Sequence, residues 1–213
     1  MANAEKEVEV KMMVRSLPEL KERLQALGAE LVTQRVHETN LRFDTRSGEL
    51  SRARKALRLR KDNAVRLTFK GPQELGESAS IRQEIEFEVS DFFAARRFLE
   101  ALGYIVSVIY EKYRTTYRLG HVLVTLDEMP YGSFVELEGA ETGENGTNAS
   151  AVANLQATAA ALALEWNARS SASYLALFEH LRQARHLSAH DLTFADLRGI
   201  EVSPADLGLR YAD

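Results

Sequence analysis

Near its N-terminus the chain carries Glu7-x-Glu9-x-Lys11. In an extended strand, residues two apart share a face, so two carboxylates and an ammonium stand together while Val8, Val10 and Met12 point the other way. A single strand of this kind reads as an ordinary amphipathic edge with one wet face. The same alternation returns, however, in Arg58/Arg60, Arg66/Thr68/Lys70, Arg82/Glu84/Glu86/Glu88, Lys112/Arg114/Thr116/Arg118 and Glu136/Glu138. Glu7, Glu9, Glu136 and Glu138, with Asp127 in the hairpin nearby, make an all-oxygen set of the type that takes Mg²⁺ or Mn²⁺. Carboxylates gathered this way repel one another unless a cation or a basic partner neutralises them. The basic set Lys11, Arg58, Arg60, Lys70, Arg82, Lys112 and Arg114 has the complementary need. A polyanion answers both, with phosphates bridging from arginines and lysines to metal on the carboxylates. The expected substrate carries several linked phosphates.

The elements that must position these residues follow from the chain between them. Ser16-Leu17-Pro18-Glu19 reads as a helix start, and Leu17, Leu20, Leu24 and Leu27 form an apolar stripe ending at Gly28. An extended segment of roughly Val32 to Thr45 leads to a turn at Arg46-Ser47-Gly48-Glu49. Two strands follow, 56–60 and 65–70, joined by a tight turn at Asp62-Asn63 and stopped by Gly71-Pro72. After a polar loop at 73–79, a strand over 81–89 runs to Ser90, read as the cap of a second helix whose apolar side is Phe93, Phe98, Leu99 and Leu102. Gly103 ends that helix, Gly120 and Pro130-Tyr131-Gly132 mark hairpin turns, and 134–139 forms the closing strand. The order of strand, helix ending in Ala-Leu-Gly, long strand, hairpin and short strand occurs twice, so two related halves are expected to complete one sheet.

About eight hairpin-linked strands suffice to close an antiparallel barrel. Pointing outward, the charged faces would be solvent dressing around an apolar interior. Pointing inward, they line a tunnel whose apolar outer face is covered by the two helices and the Ala-rich segment 148–164. Solvated faces mix in serine, threonine, glutamine and asparagine, whereas these are mostly glutamate and arginine at fixed parity, which favours the tunnel. The fold expected is α+β: an eight-stranded antiparallel β-barrel over residues 1–165, with a C-terminal helical extension, 166–213, packed on it. In that extension Ser170 to Ser173 is read as capping a helix from Tyr174 to about Arg185, and ordinary packing is its only expected role.

Bulk properties set outer bounds. A chain of 213 residues that is 45% hydrophobic can bury a large core, and its net charge of −4 argues against broad binding to nucleic acid or to membrane surfaces. There is no cysteine, so thiolate metal sites and disulfides are excluded. The five histidines show no ligand-type pairing and read as surface or capping groups. With neither a long apolar run nor a basic-then-apolar leader, a cytoplasmic location is expected.

Glu7-x-Glu9-x-Lys11, Leu57-Arg58-Leu59-Arg60, Thr68-Phe69-Lys70, Arg82-x-Glu84-x-Glu86, Lys112-x-Arg114, Asp127 and Glu136-x-Glu138 occur in an order that resembles the CYTH superfamily, the triphosphate tunnel metalloenzymes. The resemblance implies a triphosphate held by Lys11, Arg58, Arg60, Lys70, Lys112 and Arg114, with Arg82 in the same basic set. It implies divalent metal on Glu7, Glu9, Glu136 and Glu138, while Asp127, Glu84 and Glu86 serve as further ligands or orient the arginines. Glu7, Glu9, Lys11 and Lys112 form the expected catalytic group. Arg169 to Leu177 is similar to the end of class IV adenylate cyclase-like members, as are Lys70-Gly71-Pro72 and Gly132 to Glu136. The leading expectation is therefore conversion of ATP to cyclic AMP and pyrophosphate. The alternative is hydrolysis of tripolyphosphate or thiamine triphosphate, and a further alternative is a module that binds polyphosphate or nucleotide without turnover. The sequence leaves the oligomeric state open, with a homodimer through the C-terminal helices as one arrangement.

Overall fold

In the computed structural model the described residues are 6–72, 74–75, 80–140 and 148–213. The strands are β1 (Lys6–Val14), β2 (Glu30–Asp44), β3 (Ala56–Lys61), β4 (Val65–Lys70), the two-residue β5 (Glu74–Leu75), β6 (Ser80–Glu88), β7 (Ile105–Leu119), β8 (Val122–Met129) and β9 (Gly132–Ala140). The helices are α1 (Leu17–Ala26), the short α2 (Glu49–Arg52), α3 (Phe92–Ala101), α4 (Asn148–Ala161) and α5 (Tyr174–Arg185).

Eight strands follow one another in the order β1-β9-β8-β7-β2-β3-β4-β6, all antiparallel, and β5 flanks the start of β6. The sheet curls until its edges meet: β6 pairs back onto β1 over a seam of Lys6–Glu9 against Ser80–Gln83. Strand pleating then sorts the side chains. Val8, Val10 and Met12 of β1, with Val122, Val124, Leu126, Val135 and Leu137, form an outer apolar layer covered by Leu20 and Leu24 of α1 and by Ala151, Leu155 and Ala159 of α4. On the other half, Leu41, Phe43 and Leu59 pack under Leu99 of α3. The charged parity faces inward, which selects the tunnel over the solvent-dressed barrel.

Local signals account for most boundaries. Ser16 caps α1, its hydroxyl accepting from the Glu19 N–H, and Gly28 leaves the helix with φ +73°. Ser173 caps α5 in the same way through the Ala176 N–H. Two expectations are corrected. The cap of α3 is Asp91, not Ser90: its carboxylate accepts from the Ala94 N–H, one residue further on, where the backbone is still extended. The apolar side expected for α3 is also not its buried side. Leu99 is buried, but Phe93, Phe98 and Leu102 are 61, 63 and 60% exposed, since no element among the described residues covers them. The turn read at 46–49 opens the short α2, which Asp44 holds by accepting from the Leu50 and Ser51 N–H groups and the Ser51 hydroxyl.

The segment after 165 is stitched into the sheet. Ser170 exchanges backbone hydrogen bonds with Lys11, the Ala212 N–H donates to the Met13 carbonyl, and Leu192 bonds to Ile109 and Glu111. Its helix α5 buries Tyr174, Leu177, Phe178 and Leu181 against Met13, Met129, Tyr131 and Phe134. Among the described residues no helix is long and apolar enough to cross a membrane.

Candidate active site

The curled sheet holds a cavity of about 320 Å³. Lys11, Arg42, Arg58, Arg60, Lys70, Lys112 and Arg114 supply its cations, and Glu9, Glu84, Glu86, Glu136 and Glu138 its carboxylates. Uncharged parts of the wall are Ala56, Tyr110, Leu123, Ser173, Tyr174 and Leu175. Each residue arrives there by pleat and register. Glu9 stands opposite Glu138, and Lys11 opposite Glu136, across β1 and β9. Arg58 and Arg60 lie opposite Arg42 and Asn40 of β2 and opposite Thr68 and Arg66 of β4. Lys70 and Thr68 meet Glu84 and Glu86 of β6.

Two networks divide the lining. On the first, Glu86 receives Arg60 at 3.0 Å, Arg58 at 3.4 Å and the Thr68 hydroxyl at 2.7 Å, while Lys70 pairs with Glu84. Arg58 also reaches the Tyr110 hydroxyl at 3.5 Å. On the second, the fully buried Asp127 carboxylate accepts from Arg114 Nε at 2.6 Å, from Lys112 Nζ at 3.2 Å and from the Tyr174 hydroxyl at 2.7 Å. Lys11 Nζ lies 3.0 Å from Glu136, whose other oxygen takes Arg114. The Tyr174 ring faces both ammonium groups, with Lys11 Nζ 4.7 Å and Lys112 Nζ 5.4 Å from its centroid. Glu38 sits behind them, 3.6 Å from Lys112 and 3.9 Å from Arg60.

Burial alone would favour neutral groups throughout, and the partners decide otherwise. For Glu38, desolvation is outweighed by Lys112, Arg114, Arg60 and Arg58, which bring its carboxyl down from 4.5 to about 2. Glu136 is likewise held well below the carboxylate range despite its burial, by Lys11, Arg114 and Lys112. Lys11 is raised: desolvation opposes its charge, and Glu136 and Glu9 overcome it. Glu138 moves the other way. Burial pushes its carboxyl up, Arg114 offsets only part of this, and the nearby Glu9 and Glu136 add to it.

Glu9 and Glu138 thus stand opposite each other as an acid pair, and the Glu9 charge adds to the upward push on the Glu138 carboxyl. Among the described residues no three acids or histidines gather closely enough to hold a metal by themselves. The pair nevertheless fits Mg²⁺ or Mn²⁺, which take one or two protein carboxylates and complete their shell with substrate oxygens and water. The side chains of Glu7 and Arg82, both expected at the site, lie outside the described residues; their backbones are register partners at the seam.

The CYTH domain family model matches residues 5–165. The chain belongs to the CYTH domain family. Among solved structures, this CYTH chain is similar to a candidate adenylate cyclase from Vibrio parahaemolyticus, at 23% identity and TM-score 0.75, covering 83% of this chain and 99% of that one. It is also similar to the PH1819 protein of Pyrococcus horikoshii OT3, at 28% identity and TM-score 0.67, covering 81% and 98% of the two chains. HpAC1 from Hippeastrum, a candidate adenylyl cyclase described as having a dominant triphosphatase activity, aligns at 22% identity and TM-score 0.58 over 82% and 95%. Comparison with curated proteins by sequence returns no match.

Sequence reasoning missed Glu38, Arg42, Tyr110 and Tyr174. The first two share the parity of a segment read only as extended, and the alternation Glu38, Asn40, Arg42 was the signal available. Tyr174 corrects the expectation that the tail only packs: its ring and hydroxyl touch Lys11, Lys112 and Asp127 in the CYTH tunnel.

Proposed function

We propose that this CYTH protein is a metal-dependent phosphoryl-transfer enzyme whose substrate carries a linked triphosphate, and that its reaction is hydrolysis of the terminal phosphate. The observation that carries the reading is the wall of seven cations that shares one cavity with the acid pair Glu9 and Glu138. Arg58, Arg60 and Lys70 hold phosphate oxygens from one side; their carboxylate partners Glu84 and Glu86 keep the guanidinium groups oriented. Lys112 and Arg114, fixed on Asp127, receive negative charge as the phosphorus–oxygen bond breaks, and Lys11 is placed by Glu136 and the Tyr174 ring. In this assignment Asp127 orients cations and is not a metal ligand. Glu9 and Glu138, with Glu7 next in the row, would hold the divalent ion, which supplies charge neutralisation and Lewis acidity at the phosphates.

Hydrolysis is favoured over cyclisation because the lining is ionic along most of its extent. Of its two rings, Tyr174 is tied to Asp127 and the lysines, and the Tyr110 hydroxyl faces Arg58, so the wall reads phosphate and offers a nucleobase little. The cyclase reading rests on Ala56, Ser173 and Leu175, an uncharged part of the wall partly supplied by the tail that resembles class IV members. Product analysis with tripolyphosphate, thiamine triphosphate and ATP, each with Mg²⁺ or Mn²⁺ and beside a Glu9→Gln variant, separates them. Orthophosphate released fastest from tripolyphosphate or thiamine triphosphate, and lost in Glu9→Gln, supports the proposal. Cyclic AMP with pyrophosphate from ATP replaces it with the cyclase, and no turnover of any of the three overturns the enzyme reading.

A further inference from the structure

A second cavity, of about 790 Å³, opens on the outer face of the sheet beside the start of α1. Pleating keeps it apart from the tunnel: Thr115 and Leu126 line it, while their chain neighbours Arg114 and Asp127 turn the other way, into the ionic network. Its floor is largely apolar. Tyr117 stands opposite Leu31 across β7 and β2, Leu126 stands opposite Thr115 across β8 and β7, and Leu17 arrives from the first turn of α1. Leu31 is 46% exposed, an aliphatic side chain that no element among the described residues covers. Tyr117 is buried, which pushes its phenol up, and among the described residues no hydrogen bond acts on its hydroxyl.

The charges on the rim are mostly committed to partners. Arg35 donates to Glu128 through Nε at 2.7 Å and Nη2 at 2.9 Å, and its guanidinium lies 3.6 Å from the centre of the Tyr113 ring. Arg15 pairs with Asp213 and lies 4.5 Å from the centre of the Tyr211 ring. Lys21 differs. It stands one turn on from Leu17, on the same face of α1, and among the described residues it has no ion pair. The rim therefore carries one uncompensated positive charge beside an apolar floor.

The volume lies within the range of about 300 to 1,000 Å³ usual for small-molecule sites. Charge and polarity narrow the chemistry further. Inorganic phosphates, which suit the tunnel, have no apolar body for Leu17, Leu31, Tyr117 and Leu126, and a neutral hydrocarbon gains nothing from Lys21. We propose that this outer cavity is a second binding site, separate from the tunnel, for a small amphipathic monoanion whose apolar body lies on Leu31 and Tyr117 and whose acid group meets Lys21. The inference does not depend on what the tunnel turns over.

Two fluorescent probes test it on the full chain: anilinonaphthalene sulfonate, a monoanion on apolar rings, and N-phenylnaphthylamine, the same rings without the sulfonate. Titrations compare wild type with Lys21→Glu and Leu31→Glu, both at exposed positions, and with Phe98→Ser on α3, which does not line the cavity; thermal melting confirms that each variant is folded. The sulfonate is expected to bind wild type saturably at one site per chain and more tightly than the amine. Its affinity should fall by at least about threefold in Lys21→Glu and at least about tenfold in Leu31→Glu, and hold in Phe98→Ser. The amine should respond to Leu31→Glu and not to Lys21→Glu. No saturable binding, wild-type affinity in either cavity variant, or a loss in Phe98→Ser overturns the inference. Displacement of the probe by tripolyphosphate at constant ionic strength overturns it as well, since the probe would then sit in the tunnel.

Discussion

Glu38 is charged in a place where burial argues for neutrality, and that makes it a pH sensor for the fold. A carboxyl whose value is depressed on folding contributes stability that is fully present above its ordinary value of 4.5 and is lost as pH falls toward about 2. Urea midpoints are therefore expected to hold from pH 7 to 5 and to fall between pH 4 and 2; in Glu38→Gln this acid-side slope is shallower, and the protein is already less stable at pH 7. Removing one member of a buried charge cluster leaves its partners uncompensated, at a cost of about 3 to 5 kcal/mol. Asp127 makes the same point from the side of activity. With Arg114, Lys112 and Tyr174 all donating to one carboxylate, Asp127→Asn is expected to cut turnover by at least about tenfold through misplaced cations. Steady-state kinetics that match wild type would remove it from the machinery.

Among the elements, the hairpin joining β8 to β9 is the most demanding. Gly132 adopts φ +146°, and a Cβ there would stand 2.7 Å from Met13 Cε, so Gly132→Ala is expected to cost about 1 to 3 kcal/mol. Gly120, at φ +60° with open space around it, is expected to lose only about 1 kcal/mol on the same change. Denaturant melts of the two variants check the order. The elements were also where sequence reading worked best, because strand parity and caps are local: Ser16, Gly28, Ser173 and the alternation through Lys70 each act within a few residues. It failed where a tertiary partner decides. Whether Phe93 and Phe98 are covered depends on what lies beyond α3, and whether Tyr174 packs or enters a site depends on where the tail crosses β1. At the site, the charges with clean alternation were found, whereas Glu38 and Arg42 sat in a bulged strand whose register shifts blur the pattern.

For the whole molecule, the tunnel interior is an ion network rather than an oil-filled core, and a triphosphate bound there would draw on the seven cations of its wall. A triphosphate should therefore act as a folding ligand. Tripolyphosphate at about one hundred times its dissociation constant is expected to stabilise the protein by about 2.7 kcal/mol, and the gain should shrink as ionic strength rises and weakens the binding. Calorimetric melts with and without the anion, at low and high salt, test this; an unchanged melting temperature at low salt would mean that the tunnel does not bind it.

The way the tail is stitched to the sheet bears on how the protein keeps from sticking to its own copies. β1 gives one edge to β9 and shares the other: β6 covers Lys6 to Glu9, and Ser170 and Ala212 take over at Lys11 and Met13. β7 is bounded on one side by β2 and on the other by β8 from Tyr113 onward, and Leu192 occupies that second side at Ile109 and Glu111, where β8 has ended. Strand edges with free N–H and C=O groups invite pairing with another chain. The C-terminal segment thus works as selvage on a woven cloth, finishing β1 at Lys11 and Met13 and β7 at Ile109 and Glu111.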